Sequence, residues 1–166
     1  AKMIFAALMV VLGGVDSADV VLSSQSIPFQ TGRLIWQDQQ QQARFDWEFE
    51  IRRASQSLAG STMAYHADLD EADAQGRLVL NDPVMILFGD NLWADTQTGR
   101  VRWAGRVRGY FKNSPWRFVA AEMDGTNRQY VARDIVFTSC DRPVPDYHVH
   151  ASSGTIWPGE RLSLRH

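Results

Sequence analysis

Strict alternation of apolar and charged side chains is the feature of this sequence that most constrains its fold. Residues 100–108 read RVRWAGRVR, in which Val101, Trp103 and Val107 alternate with arginines. Residues 44–52 read RFDWEFEIR and alternate in the same way. A period of two places the apolar side chains on one face of a strand and the charged ones on the other, and helical spacing explains neither segment. Each segment is therefore predicted to be one β-strand with a buried and a solvated face.

Short turn-forming sequences separate the alternating runs. They occur at Thr31-Gly32, Gly60-Ser61, Gln75-Gly76, Asn81-Asp82-Pro83, Gly89-Asp90-Asn91, Thr98-Gly99, Asn113-Ser114-Pro115, Asp124-Gly125 and Pro158-Gly159. Such regular spacing of turns is typical of all-β sandwiches, rolls and barrels. The glutamine-rich tract 37–42 is predicted to be a loop, and the acidic stretch 66–75 a connection that includes a helical turn.

One strand-turn unit is written more than once. Residues 31–36 read TGRLIW and residues 98–103 read TGRVRW, while 76–80 and 159–164 are further glycine-led strands. Thr-Gly supplies a tight turn because glycine takes positive φ without strain, and a strand follows. Repeated units that each expose an apolar face must stack to bury it, so the repeats predict one continuous β-structure.

The N-terminus has the features of an export signal. Lys2 precedes the apolar run 3–12, and small residues follow as far as Ser17. The run is shorter than the roughly 20 residues that span a bilayer, which favours a cleaved secretory signal peptide over a membrane anchor. We predict a signal peptide at 1–17 and a single domain at 18–166, truncated at its C-terminus because its last alternating segment has no closing turn.

Composition and motifs argue against several functions. The net charge of −2 lacks the basic excess of a nucleic-acid binder. The single Cys140 has no internal disulfide partner. His148 and His150 could point the same way from a strand and bind a metal, but no acidic residue follows before Glu160, so two solvated histidines are the favoured interpretation. No catalytic motif is found, and no enzyme activity, cofactor or metal is predicted.

Two segments resemble a known family. Residues 91–107, with an Ala-Asp step, a Thr-Gly turn and then Gly-x-Val, resemble the repeat of the OstA-like family of lipopolysaccharide transport and assembly. Residues 128–160 resemble the periplasmic N-terminal region of that family's outer-membrane assembly member, through Tyr130-Val131-Ala132, Thr138-Ser139-Cys140-Asp141, Pro145-Asp146-Tyr147 and Pro158-Gly159-Glu160. The family's usual Gly-Asn-Val is Gly105-Arg106-Val107 here, and residues 37–75 do not align.

The resemblance implies an open β-jellyroll, a folded-over antiparallel sheet, in the periplasm. It also implies a non-catalytic carrier of lipopolysaccharide or a related glycolipid, which shelters acyl chains in an apolar interior and joins other β-jellyroll transport domains by edge-strand pairing. The alternation supplies lipid-lining candidates, each of which could equally be ordinary core. They are Phe45, Trp47, Phe49, Ile51, Val101, Trp103, Val107, Trp116 and Phe118.

Other interpretations stay open at this point. A carbohydrate-binding β-sandwich would stack sugars on exposed tryptophans, and the candidates are Trp36, Trp93, Trp103, Trp116 and Trp157. Inward-facing tryptophans would favour lipid or core instead. A closed lipid-binding barrel of the lipocalin type is a further alternative. The arginines of 100–108 could contact phosphates, although such a row is more often a solvated face.

Overall fold

The computed structural model describes the backbone of residues 33–37, 42–46, 48–53, 55–66, 68–126 and 128–165. The predicted signal peptide, Trp47 and the loop at 38–41 lie outside these residues, as does the side chain of Phe45. The strands are β1 (Arg33–Gln37), β2 (Gln42–Asp46), β3 (Phe49–Arg53), β4 (Gln56–Gly60), β5 (Thr62–His66), β6 (Glu71–Asn81), β7 (Met85–Asp95), β8 (Val101–Phe111), β9 (Arg117–Thr126), β10 (Gln129–Thr138), β11 (Val149–Trp157) and β12 (Arg161–Arg165).

All twelve strands belong to one antiparallel sheet. The main path is β1-β2-β5-β6-β7-β8-β9-β10-β11-β12, while β3 pairs with β4 and β4 pairs with β6. Among the strands described, β1 pairs only with β2 and β12 only with β11, so the sheet is open. The predicted all-β class, with an open antiparallel sheet, is confirmed.

One face of the sheet is buried in a single apolar cluster. On β8, Val101, Trp103 and Val107 are exposed by 3% or less, whereas Arg102 and Arg108 between and beyond them are exposed. The predicted alternation of buried and solvated positions is therefore confirmed for this strand. Since the described strands form one sheet, its buried face must be covered by another part of the same sheet.

Residues from opposite ends of the strands lie near one another, which shows that the sheet folds over on itself. The β6–β7 turn lies at one end, and the β9–β10 and β11–β12 turns lie at the other. The pKa of Tyr130 on β10 is nevertheless raised, first by burial of its side chain and second by the negative charge of Asp82 in the β6–β7 turn. The two side chains therefore lie near each other. A Cβ placed on Gly159 in the β11–β12 turn would lie 3.5 Å from Val84.

Paired β-bulges mark the strands where they bend. Gly76 and Arg77 in β6 have φ of 79° and 49°, and Gly105 and Arg106 in β8 have φ of 80° and 56°. The register with β7 shifts at both places. Bulges bend a strand and increase its twist, so these positions allow long strands to contribute to both layers of the folded sheet.

Four predicted turns are wrong. Gln75-Gly76, Gly89-Asp90-Asn91 and Asp124-Gly125 lie inside β6, β7 and β9, and the chain reverses after Thr126 and not at Asp124-Gly125. Gly60-Ser61 separates β4 from β5, but both of these strands run antiparallel to β6, so the chain does not reverse there. The amide of Ser61 instead donates to the carbonyl oxygens of Gln75 and Gly76 at 3.1 and 2.9 Å, which bridges the bulge.

Two predictions about the first half of the chain are also wrong. Residues 44–52 are not one strand, because β2 pairs with β1 and β5 whereas β3 pairs with β4. The acidic stretch 66–75 is not a connection with a helical turn, because β6 begins at Glu71 and pairs with β5. Its buried positions, Ala72 and Ala74, are small, and this weakened the apolar signal that marks a strand.

Candidate functional site

Six of the nine predicted lining residues lie in the buried core. The buried members are Phe49, Ile51, Val101, Trp103, Val107 and Phe118, each exposed by 7% or less. Phe45 lies on β2, but its side chain is outside the described residues, and so is the whole of Trp47. The inward orientation predicted for the six is confirmed. It defines an apolar face and does not by itself define a ligand site.

Aromatic rings packed on glycines fill this interior. A Cβ on Gly89 would lie 2.9 Å from the Trp103 ring, and one on Gly109 would lie 2.1 Å from the Phe118 ring. These glycines are therefore needed for close approach of the rings. The interior around them is packed core, so a ligand first reaches the apolar face where that face opens to the surface.

Such an opening lies where the β6–β7 and β8–β9 turns meet the β11–β12 hairpin. It is a cavity of about 440 Å³, which we call the apolar mouth. Its main apolar residues are Val84, Phe111, Trp116, Phe137, Trp157 and Leu162. Phe111, Phe137 and Leu162 also pack against the core cluster, so the mouth is continuous with the buried face.

A chain of aromatic contacts leads from the core to the surface of the mouth. Buried Phe118 lies 5.9 Å from Phe111, and Phe111 lies 6.5 Å from Phe137, both measured between ring centroids. Phe137 in turn stacks on Trp116 at 4.7 Å. Trp116 is 39% exposed, so its predicted inward position is wrong: it lies next to the β8–β9 turn, at the outer end of the chain of rings.

Sequence reasoning missed most of the mouth. Phe111 continues the odd-numbered apolar positions of β8, so its inward direction could have been found by extending the alternation beyond residue 108. Phe137 belongs to a strand whose alternation is weak, Leu162 to a short alternating segment, and Val84 lies in a turn. The folding of the sheet brings these residues together, and no local pattern encodes that contact.

Among the described residues that line the mouth are one cation, Arg161, and one carboxylate, Glu160. The guanidinium of Arg161 lies 4.1 Å from the ring centroid of Trp157, within cation–π range, and both residues line the cavity. Glu160, Asn113 and Ser114 complete its polar margin. The site therefore combines an apolar aromatic wall with a forked cationic donor.

Arg100 of the second Thr-Gly-Arg unit and its neighbour Arg102 have a structural role. Arg100 donates to both carboxylate oxygens of Asp124, at 2.9 and 3.0 Å, and Arg102 donates at 3.3 Å. The hydrogen bond from Arg100, followed by that from Arg102 and the charges of both, holds the pKa of Asp124 below its ordinary value, against the opposing effect of burial. Arg100 thus ties the start of β8 to the end of β9.

The block Thr138-Ser139-Cys140-Asp141 fixes a loop. Thr138 Oγ1 donates to the carbonyl of Tyr147 at 2.7 Å and accepts from the Cys140 amide at 3.0 Å. The hydroxyl groups of Ser139 and Tyr147 also share a hydrogen bond. These contacts close the connection between β10 and β11, so the block acts in local structure.

The two histidines are separate in environment. His148 is exposed and precedes β11, whereas His150 Nε2 lies 2.6 Å from Asp134 Oδ1 on β10. Within the described part of the chain, no three His, Cys, Asp or Glu side chains are grouped to hold a metal ion. No helix in that same part is long and apolar enough to cross a membrane.

Three of the described tryptophans are partly exposed, and each has a neighbour over its ring. Phe137 stacks on Trp116, Arg161 lies over Trp157, and Arg102 lies 6.0 Å from the Trp93 ring centroid. Trp103, by contrast, is 1% exposed.

No protein-family model matches the chain, and a search of curated proteins finds no match to it.

Proposed function

We propose that this protein is a non-catalytic periplasmic domain that binds lipopolysaccharide or a related glycolipid and shelters its acyl chains during transport to, and assembly in, the outer membrane. The observation that carries the proposal is the apolar mouth, whose aromatic rings connect the surface with the buried face of an open sheet. An acyl chain would enter beside Trp116 and continue along the face that includes Phe118.

The energetic reason for such a site is the cost of exposing hydrocarbon to water. Burial of a CH₂ group contributes about 0.8 kcal/mol, so a chain of about twelve carbons gains at most about 10 kcal/mol. Side chains of the core face must separate to admit it, and their lost contacts reduce this gain. A carrier that must both bind and release its lipid needs a net binding free energy that is reduced in this way.

The cation at the margin supports an anionic glycolipid as ligand. Arg161 presents a planar set of donors that matches phosphate oxygens. Its position over Trp157 keeps it beside the apolar wall. An acyl chain in the mouth would therefore place an attached phosphate near this guanidinium.

The open sheet also supports a protein partner. Among the described strands, β12 pairs only with β11, so its other edge is available for strand addition. Another β-jellyroll transport domain is the partner that the proposal requires. Arg161 and Arg165 on this edge would disfavour indiscriminate pairing.

A carbohydrate-binding module is the second candidate, and the exposed ring of Trp116 favours it. A sugar site would need a flat aromatic face open to solvent. Phe137 covers one face of Trp116, and the mouth around it is mainly apolar. These contacts suit an acyl chain better than a pyranose ring.

Site-specific photocrosslinking to lipopolysaccharide tests the proposal. A benzophenone amino acid is placed at Trp116 and Leu162 in the mouth, at Val101 in the core, and at Val131 as an outward control of 40% exposure. We expect adducts in the mouth and core and none at Val131. Absence of adducts from folded protein would overturn the lipid function. Competition by a deacylated oligosaccharide, without competition by lipid A, would favour the sugar-binding alternative.

A further inference from the structure

A second concavity lies on the outward face of the sheet, across β6, β7, β8 and β9. It has a volume of about 590 Å³, within the range of small-molecule sites. Three arginines line it, Arg77, Arg106 and Arg108. We call it the arginine pocket. Apolar side chains line it as well, from Val79, Phe88 and Val119.

The two bulges place two of these arginines at equivalent positions. Arg77 and Arg106 each follow a bulge glycine and have φ of 49° and 56°. The left-handed conformation costs an L-residue roughly 1–2 kcal/mol, and Asn, Asp and Gly adopt it most readily. Residues held in such conformations cluster at functional sites, and bulges often redirect a side chain toward one. Here the arginines of both bulges line the same hollow. They lie on β6 and β8, the two strands that flank Asp90 of β7.

The charges in the pocket are unbalanced. Three other exposed arginines have a carboxylate partner, since Arg100 and Arg102 pair with Asp124 and Arg133 pairs with Glu122. Across the residues that the structure describes, neither Arg77 nor Arg106 has an ion pair within 4.0 Å.

Arg108 lies 5.4 Å from the ring centroid of Phe88 and likewise has no ion pair within the described residues. Among the described residues, Asp90 is the only carboxylate that lines the pocket. Three arginines thus share one hollow with a single carboxylate, and a bound anion would balance the excess positive charge.

We propose that the arginine pocket binds a phosphate group joined to a small apolar group. Guanidinium forks match phosphate and carboxylate oxygens alike, but a phosphate monoester carries about −1.5 to −2 charges at pH 7, which suits three cations better. The side chains of Val79, Phe88 and Val119 would contact the attached apolar group. This site lies on the opposite face of the sheet from the core and is independent of the proposed lipid conduit.

Hexyl phosphate is the probe for this site. Binding is measured by calorimetry and by NMR shifts of the Gly76, Asp90 and Gly105 amides. Arg106→Asn removes one guanidinium and introduces a residue that adopts the left-handed backbone readily. Arg133→Gln is the matched control, because it removes an arginine from the outward face of β10. We expect Arg106→Asn to weaken binding about tenfold or more, the effect of one charge-assisted hydrogen bond, and Arg133→Gln to leave it unchanged.

Three further arms define the ligand. Hexanol should not bind, and inorganic phosphate should bind at least about tenfold more weakly than hexyl phosphate because it lacks the apolar contact. Equal binding of wild type and Arg106→Asn, or equal binding of hexanol, would overturn the proposal. Equal affinity for inorganic phosphate would overturn its apolar part. Sedimentation with phosphatidic-acid vesicles shows whether the phosphate belongs to a lipid or to a soluble ester. Vesicle binding that is lost in Arg106→Asn supports a lipid headgroup. Binding to hexyl phosphate without binding to vesicles supports a soluble ester.

One variant separates this proposal from the lipid function. Trp116→Ala alters the apolar mouth and should leave hexyl phosphate binding unchanged. If Trp116→Ala abolished that binding while Arg106→Asn did not, the ligand would occupy the mouth, and the arginine pocket would be rejected with the lipid function retained.

Discussion

The indole of Trp116 stacks flat on the ring of Phe137, with centroids 4.7 Å apart and planes 1° from parallel. Stacked aromatic pairs contribute about 0.5–1.5 kcal/mol beyond their buried area. The pair is nevertheless at the surface, because Trp116 is 39% exposed. It therefore stabilises the wall of the apolar mouth and leaves part of the indole accessible to a ligand.

Trp116→Ala should weaken capture of lipopolysaccharide about tenfold and lower the free energy of unfolding by about 1 kcal/mol. The loss in capture reflects removal of aromatic surface from the mouth. Tyr110→Ala is the matched control, since Tyr110 is also 39% exposed and makes one aromatic contact, with Phe88. A Tyr110→Ala variant that lost capture equally would contradict the location of the lipid site. Lipid capture by immobilised protein and chemical denaturation supply the two measurements.

Gly89→Ala should lower the free energy of unfolding by about 1–3 kcal/mol, because its methyl group would press on the buried Trp103 ring. Trp103→Ala should cost about 3–5 kcal/mol, the usual loss for a buried tryptophan. The double variant should cost less than the sum, since the space left by the indole accommodates the new methyl. Additive costs in urea denaturation would show that the two side chains do not press on one another.

Arg102→Ala is the control for that cycle. Its guanidinium is exposed and makes a long contact with Asp124, so its removal should change the free energy of unfolding by less than about 1 kcal/mol. A larger loss would mean that the outward face contributes to folding more than its exposure indicates.

Arg106→Asn should raise the free energy of unfolding by about 0.5–1 kcal/mol, because asparagine adopts the left-handed backbone of this bulge more readily than arginine. Arg102→Asn, on the same strand without positive φ, should be destabilising because asparagine is a poor strand former and the ion pair is lost. The melting temperatures of the two variants, compared with that of the wild type, test this prediction. A lower melting temperature for Arg106→Asn would show that the bulge is not strained by arginine.

Asp124→Asn should destabilise the protein at pH 7 by up to about 1 kcal/mol, because the contacts with Arg100 and Arg102 are largely exposed. The pKa of Asp124 is lowered in the folded state, chiefly by hydrogen bonding from Arg100. Its contribution is therefore complete above the ordinary carboxyl pKa and is lost as the pH falls below about 4 through the lowered value. The difference between wild type and variant should accordingly shrink in urea titrations as the pH is lowered below about 4.

Asp146→Asn is the control for the acid dependence. Its pair with Arg142 is exposed on both sides and spans four residues of a loop, so its removal should cost no more than about 0.5 kcal/mol. If both variants lost equal stability at pH 7, the contact between β8 and β9 would have no special role.

Much of the fold was predictable from alternation, and two of the wrong turns, Gln75-Gly76 and Gly89-Asp90-Asn91, lie where a strand bends. In β7 the buried positions change from Met85, Leu87 and Gly89 to Leu92 and Ala94, so the alternation switches phase within one strand. Gly89-Asp90-Asn91 lies opposite the bulges of β6 and β8, and it is predicted to be a turn because its residue types are those of a chain reversal. The phase switch was the available signal that the strand continues and bends there.

The candidate site was less predictable than the fold. Alternation identified Trp103 and Phe118 correctly, because a side chain's face depends only on its own strand. Trp116 was misplaced because it lies between the β8–β9 turn and β9, where period two does not apply. The contact of Val84 with the β11–β12 turn depends on how far the sheet folds, which is a property of all the strands together.

The folded sheet has one dimension that its backbone does not fix. Along the ladder, hydrogen bonds hold neighbouring strands at a spacing of about 4.8 Å, and any change in that spacing breaks bonds. Between the opposed layers, side chains such as those of Val84 and Leu162 line the same cavity, and no backbone ladder of the described strands joins them. Separation of the layers would therefore repack side chains and leave the pairing of the strands intact. Under the proposed lipid function, an acyl chain would enter between the layers at the cost of side-chain contacts alone.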